Sequence, residues 1–371
     1  MSGSAVRRGR AARGRGAGAV AVLLASSLLA ACGATTPSAP TPGATTRGTP
    51  LPVATLPASP AAAAAETFPA STSPTGAPPA SAATAAVTPS GSGGGATARP
   101  GGTASPAGTL PTVGHVYLIV MENRGLAAIE GNPAAPYLNG LMARYGLATQ
   151  YRGVAHPSEP NYLALFSGST QGVTDDGVHE FAAPTIADQL EAAGRTWRVF
   201  AENVPLPCFQ GAVATGGPDG PGTYARKHEP AISFRGIAGD PARCARITDF
   251  SHFDPAAADF ELIIPNMCND MHDCSTATGD RFLASFVPRI LGSAAWRQGG
   301  ALFITWDEGS GNEPVATLVI SPDVPAGFRS AVPHDHYSLL RTIEDLWGLP
   351  CLANACRVSD MREFFRPPAG S

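Results

Sequence analysis

The chain has 371 residues and a formal net charge of −4, but the charge is unevenly placed. Residues 1–112 hold Arg7, Arg8, Arg10, Arg13, Arg15, Arg47 and Arg99 against Glu66 alone, so of 25 basic and 29 acidic residues 18 and 28 fall in 113–371, a net of −10. So acidic a region argues against nucleic-acid binding by phosphate neutralisation, and if it binds phosphate esters, bound cations must supply much of the positive charge.

In chain order, an arginine-rich start is followed by an apolar run over 17–29, too short for a comfortable membrane span. The run ends in Leu29-Ala30-Ala31-Cys32-Gly33, which resembles a bacterial lipobox. That resemblance implies a lipoprotein signal peptide over 1–31, lipidation of Cys32, and export with attachment to the cell membrane through the lipid. An ordinary secretory signal with an incidental cysteine is the alternative. Residues 33–112 are dominated by Ala, Pro, Thr, Ser and Gly and hold too few large apolar side chains to offset ordering entropy. The span 32–112 therefore reads as the lipidated cysteine and a disordered tether, and 113–371 as the folded domain.

Six further cysteines, Cys208, Cys244, Cys268, Cys274, Cys351 and Cys356, form an even set, which in an exported protein implies a disulfide framework. Proximity suggests Cys268–Cys274 and Cys351–Cys356, leaving Cys208–Cys244; this is one of 15 connectivities that six cysteines allow. Thiolate zinc binding competes poorly, because no CxxC pair occurs.

Continuous apolar runs at 115–121, 260–264, 301–305 and 316–320 predict buried strands, with a further strand at 197–201. Helices are expected over 136–145, 185–193, 281–291 and 337–347, and 203–255 is less regular. Strands alternating with helices predict an α/β domain: a mainly parallel central sheet with helices on both faces. Between them lies His156-Pro157-Ser158-Glu159-Pro160-Asn161-Tyr162. Ser158 is placed as the N-cap of the next helix, with Pro160 in its first turn. The same helix end suits an anion, so Ser158 is either a plain cap or a nucleophile for phosphoryl transfer.

Three strand ends carry polar residues: Glu122-Asn123, Asn266 and Asp307-Glu308. Ligand sites of open α/β sheets lie at such ends. Carboxylates following buried runs favour metal ligation, and Asp270, His272 and His336 add donors. One or two divalent cations could clamp a phosphoryl group there. The bland alternatives are a turn residue for Asn123 and a solvated basic patch for Lys227 and His228.

These segments, with Tyr224-Ala225-Arg226-Lys227-His228 and His336-Tyr337-Ser338-Leu339-Leu340, resemble the phosphoesterase family of bacterial secreted acid phosphatases and phospholipases C. The resemblance covers essentially all of 113–350. It implies an alkaline phosphatase-like fold and hydrolysis of phosphate monoesters through a phosphoserine at Ser158. It further implies that Glu122, Asp307 and Glu308 hold a metal shared with Ser158. Asn266, Asp270, His272 and His336 would hold a second metal or its substitute; Asn266 and Glu308 stand where two-zinc relatives use Asp and His. Lys227 and His228 are implied to contact phosphate or protonate the leaving group, and Asn123, His156 and Asn161 to line the substrate site. The substrate would be a phosphorylated small molecule or lipid. A phospholipase C acting on diesters is the alternative, and a non-catalytic surface lipoprotein a more remote one.

Overall fold

The computed structural model describes residues 110–365. The expected signal peptide, Cys32 and all but residues 110–112 of the expected tether lie outside the described residues.

The elements in chain order are β1 (His115–Met121), α1 (Pro136–Arg144), β2 (Gly146–Arg152), α2 (Glu159–Ser167), α3 (Ile186–Ala192), β3 (Trp197–Ala201), β4 (Val213–Thr215) and β5 (Thr223–Ala225). Then come α4 (Arg235–Ala238), α5 (Pro241–Cys244), β6 (Ile247–Thr248), β7 (Phe260–Ile264), α6 (Thr276–Leu291) and α7 (Ala294–Arg297). The chain closes with β8 (Gly300–Trp306), β9 (Val315–Ile320), β10 (Arg329–Ser330), β11 (His334–Asp335) and α8 (His336–Leu346).

The main sheet runs β10-β2-β9-β8-β1-β7-β3-β6, with β11 also paired to β2, and β4 and β5 form a separate hairpin. All its pairings are parallel except those of β9, which is antiparallel to both β2 and β8. Every residue of β7, β8 and β9 is buried. Side chains alternate across a strand, so complete burial requires both faces of the sheet to be covered. This is the α/β architecture the sequence predicts. Helix α1 packs on α6, and α2 packs on α8 and α3.

Two boundaries differ from expectation. The segment 146–152 is a full strand, although Thr149, Gln150 and Arg152 break the apolar pattern; its Leu147, Ala148 and Tyr151 are buried. Helix α6 begins at Thr276, one turn before Arg281, because Ser275 already has the extended backbone of a helix-flanking residue. The three disulfides are Cys208–Cys244, Cys268–Cys274 and Cys351–Cys356. The first ties the irregular excursion ahead of β4 to α5.

Candidate active site

The site is assembled at the carboxyl ends of three adjacent strands, β8, β1 and β7. Met121 pairs with Trp306 in register, so the next residues, Glu122 and Asp307, emerge side by side. The backbone locks them there. Asp307 N–H donates to Met121 O at 2.9 Å, and Asn123 N–H donates to Asp307 Oδ1 at 3.0 Å. Asn123 reaches this position with φ +54°, a left-handed conformation that asparagine tolerates better than most residues. On the β7 side, Glu122 N–H donates to Asp270 O at 2.8 Å.

Ser158 arrives on the loop between β2 and α2, from a strand two positions away from β8 in the sheet. Asn161 shapes that loop: its Oδ1 accepts from Val154 and Ala155 N–H at 2.8 and 3.1 Å, and its Nδ2 donates to Ala155 O at 2.8 Å. The loop passes close to β8, and a Cβ on Gly153 would lie 2.6 Å from Asp307 O, so only glycine permits that approach. Ser158 is in the αR region and its side chain makes no capping bond. The residue is 1 % exposed, and its hydroxyl donates instead to Glu122 Oε2 at 3.1 Å. Ser158 thus holds the N-cap position the sequence predicts, but its oxygen makes no cap and faces the acid cluster. Glu159 N–H, the first amide of α2, donates to Asp176 Oδ1 at 3.0 Å.

Glu122 is the hub. Oε1 accepts from Tyr162 OH at 2.7 Å, and Oε2 also accepts from Asn123 Nδ2 at 2.9 Å. His228 lies beneath, with Nε2 3.1 Å from Glu122 Oε1 and Nδ1 3.4 Å from Asp270 Oδ2. The Tyr162 ring stacks on His228 with centroids 5.1 Å apart. Lys227 Nζ is 2.9 Å from Asp176 Oδ2 and 3.4 Å from His272 Nε2.

Burial, then the charges of Asp307 and Asp270, hold the Glu122 carboxyl well above its usual range. Burial likewise raises Asp270, and pushes Asp307 up to about 7. Burial, then Lys227 and His272, keep His228 neutral by lowering it well below the usual imidazole range. For Lys227, burial pulls downward, but the bond to Asp176 and the charges of Asp176, Glu122 and Asp307 outweigh it, and the ammonium is retained.

Four buried atoms here lack hydrogen-bond partners: Asp307 Oδ2, Asp270 Oδ2, His228 Nε2 and, toward the rim beside His156, Glu308 Oε2. The His228–Glu122 distance is short, yet the orientation is not that of a hydrogen bond. Ligand atoms of Glu122, His228 and His272 lie within 4.8 Å of one another. Two carboxylate oxygens and an imidazole nitrogen, buried together and unpaired, are a donor set that fits a divalent cation.

Several expected participants are engaged elsewhere. His336 Nδ1 pairs with Tyr151 OH at 2.9 Å and Nε2 with Asp307 O at 2.6 Å, so both ring nitrogens already have protein partners. Burial lowers its pKa to about 4. His336 therefore fixes the strand end that carries Asp307, and offers no nitrogen to a metal. Asn266 Oδ1 accepts from Cys268 and Asn269 N–H, and its Nδ2 donates to Asn203 Oδ1 at 2.8 Å. It shapes the turn that delivers Asp270. Asn161 is likewise a loop-former, its amide bonded to the backbone of Val154, Ala155 and Pro157. His156 stands half-exposed at the rim, pairing with Glu308 and with Gly311 O.

Sequence reasoning missed Tyr162 and Asp176. Tyr162 stands four residues after Ser158, hence on the same helix face, and that spacing could have found it. Asp176 carries no motif, and its partner Lys227 is 51 residues away.

A phosphoesterase family model matches residues 131–350. The chain is 37% identical over 256 residues to the phosphatidylinositol-3-phosphatase of Mycobacterium tuberculosis, covering 66% of this chain and 80% of that protein. It is 29% identical over 219 residues to an acid phosphatase of Aspergillus fumigatus, covering 56% of this chain and 49% of that one. A non-specific phospholipase C1 of Arabidopsis thaliana is 23% identical over 47% of this chain and 32% of its own length. Among solved structures, an alkaline phosphatase superfamily protein from Vibrio parahaemolyticus aligns with TM-score 0.45 and 13% identity over 65% of this chain and 68% of its own. The protein is a hydrolase of phosphoric esters. It belongs to the phosphoesterase family.

Proposed function

We propose that the protein hydrolyses phosphate monoesters through a phosphoserine at Ser158, with a divalent cation held by Glu122, Asp307, Asp270, His228 and His272. The observation that carries this reading is the Ser158 hydroxyl, buried at the start of α2 and hydrogen-bonded to Glu122 Oε2. A hydroxyl used only as a cap would accept from the amides of its own helix.

When bound, the cation would neutralise the packed carboxylates and stabilise negative charge on the phosphoryl oxygens. The chain's own groups do the rest. Ser158 Oγ attacks phosphorus in line, and its proton is held at Glu122 Oε2. Lys227 Nζ and Asn123 face the charge on the equatorial oxygens. The bond from phosphorus to the ester oxygen breaks, and Lys227 gives a proton to the departing alkoxide. His228, kept neutral, is not that acid. In the second half Lys227 takes a proton from the attacking water, the phosphorus–Oγ bond breaks, and Ser158 recovers its proton from Glu122.

Export and lipid attachment at Cys32 belong to the same proposal. The lipobox-like sequence and the three disulfides of an oxidising compartment support it. A Cys32→Ala chain should leave the membrane fraction; equal retention in the membrane would refute the anchor.

The functional test compares release of phosphate from p-nitrophenyl phosphate with cleavage of phosphatidylcholine. Monoester turnover is expected to dominate. Cleavage of the diester alone would overturn the monoesterase assignment in favour of a phospholipase C.

A further inference from the structure

Asp176 lies between α2 and α3, outside every motif in the chain, yet its carboxylate has two partners in the active site. Oδ1 accepts from Glu159 N–H at 3.0 Å, and Oδ2 accepts from Lys227 Nζ at 2.9 Å. Glu159 directly follows the nucleophile, and Lys227 directly precedes His228. Lys227 is also the only lysine in the sequence; every other basic side chain apart from histidine is arginine. The segment carrying Asp176 is itself fastened. His179 Nδ1 pairs with Glu159 Oε2 at 3.0 Å, His179 Nε2 pairs with Asp175 Oδ1 at 3.2 Å, and Arg226 Nη2 donates to His179 O at 3.1 Å. One carboxylate thus ties the nucleophile's helix to the site's ammonium group.

The need for such a tie follows from the charges. A lysine ammonium is a point charge on a flexible four-carbon stem. Glu122 and Asp307 attract it, and both are buried within range to influence it. Left to those carboxylates, the ammonium would settle onto the donor cluster. Asp176 holds it instead beside the first amide of α2, and that helix end favours an arriving anion.

We infer that Asp176 is a positioning residue for phosphoryl transfer, whose carboxylate holds Lys227 at the N-terminal turn of the nucleophile's helix. The inference rests on the reading of Ser158 and Lys227 given above. Misplacing an oriented charged group by an ångström lowers turnover by on the order of a hundredfold. The rival reading of the same contacts is that Asp176 merely occupies the place of phosphate. The two have opposite signs: loss of a positioning group lowers kcat, whereas loss of an occupant tightens phosphate binding.

The test uses the purified protein with Asp176→Ala, Lys227→Met and the double substitution. For p-nitrophenyl phosphate, Asp176→Ala should lower kcat by roughly 10- to 100-fold with a much smaller change in KM. The double variant should be no slower than Lys227→Met, because Asp176 acts through that lysine. A second readout needs no turnover. Lys227 is the sole side-chain amine, so acylation by an amine-specific reagent, followed on the Lys227 peptide by mass spectrometry, should accelerate in Asp176→Ala. Should the alanine variant not fold, Asp176→Asn retains an acceptor for Glu159 N–H and carries the same measurements. Unchanged labelling in a folded variant, additive losses in the double variant, or stronger inhibition by inorganic phosphate would each overturn the inference. Accelerated labelling alongside an active Ser158→Ala protein would uphold the tie between Asp176 and Lys227 and reject the nucleophile assignment instead.

Discussion

Ser158 Oγ donates to Glu122 Oε2 across 3.1 Å, joining the N-cap residue of one helix to the residue that follows a strand 36 positions earlier. The helix loses nothing it depends on if this hydroxyl is removed, since no capping bond is made. Ser158→Ala should therefore fold with a melting temperature close to that of the parent. Turnover of p-nitrophenyl phosphate should fall at least about a thousandfold. More than a few per cent of the parent rate in a folded variant would remove Ser158 as the nucleophile.

Tyr162 supplies the other strong donor to Glu122, at 2.7 Å. Its phenol is held well above its usual range by burial and then by Glu122, so it remains a donor at any ordinary pH. Tyr162→Phe leaves a buried carboxylate short of one partner, a loss of about 1–3 kcal/mol in stability. The bond lowers the pKa of Glu122, so its removal raises it. The acid limb of the kcat profile should accordingly move to higher pH. An unmoved limb would show that Glu122 ionisation does not control the rate.

Chelation tests the donor cluster. Glu122, Asp307 and Asp270 raise one another's pKa or are raised by burial, a repulsion that a bound cation relieves. Dialysis against EDTA should stop turnover and lower the melting temperature. Restoring a divalent ion at 100 times its Kd should return about 2.7 kcal/mol of stability. His272, whose side chain is 27% exposed, should be replaceable by alanine with loss of metal affinity and little loss of fold. Full activity in protein shown by elemental analysis to be metal-free would refute the cation.

Away from the site, Glu261 on β7 sits opposite Tyr117 of β1 with no exposed surface. Burial first, then Asp254, raise its pKa from 4.5 to about 8. The neutral form is the one the fold favours, so its stabilising effect is complete below pH 4.5 and is lost as pH rises through 8. The slope is about 1.4 kcal/mol per pH unit within that window. Glu261→Gln removes the titration. Urea unfolding should show the parent losing stability relative to the variant between pH 5 and 9; parallel curves would contradict the assignment.

Much of this protein was legible before folding. The runs at 115–121, 260–264, 301–305 and 316–320 are apolar throughout because strands covered on both faces admit no polar alternation. That property is local and needs no partner to be read. The polar residues ending those runs marked the site for the same reason, and the nearest cysteines did pair. The strand at 146–152 was not legible, because its burial comes from β9 and β10, not from its own composition.

The chain by itself determined which chemistry-bearing residues reach the strand ends: Glu122, Ser158, Asp270 and Asp307 are placed by buried runs and by the helix start beside them. Tertiary structure decided which of their atoms remain available. Asn161, Asn266 and His336 have the right chemistry and the right neighbourhood, yet their polar atoms are taken by Val154, Asn203 and Tyr151. His228, expected as a phosphate contact or acid, lies buried and neutral beside Glu122, and Asp176 entered the site with no motif to announce it. A side chain's identity is a local fact, but its free lone pairs and its protonation are set by whichever distant groups the fold brings within about 3 Å of it.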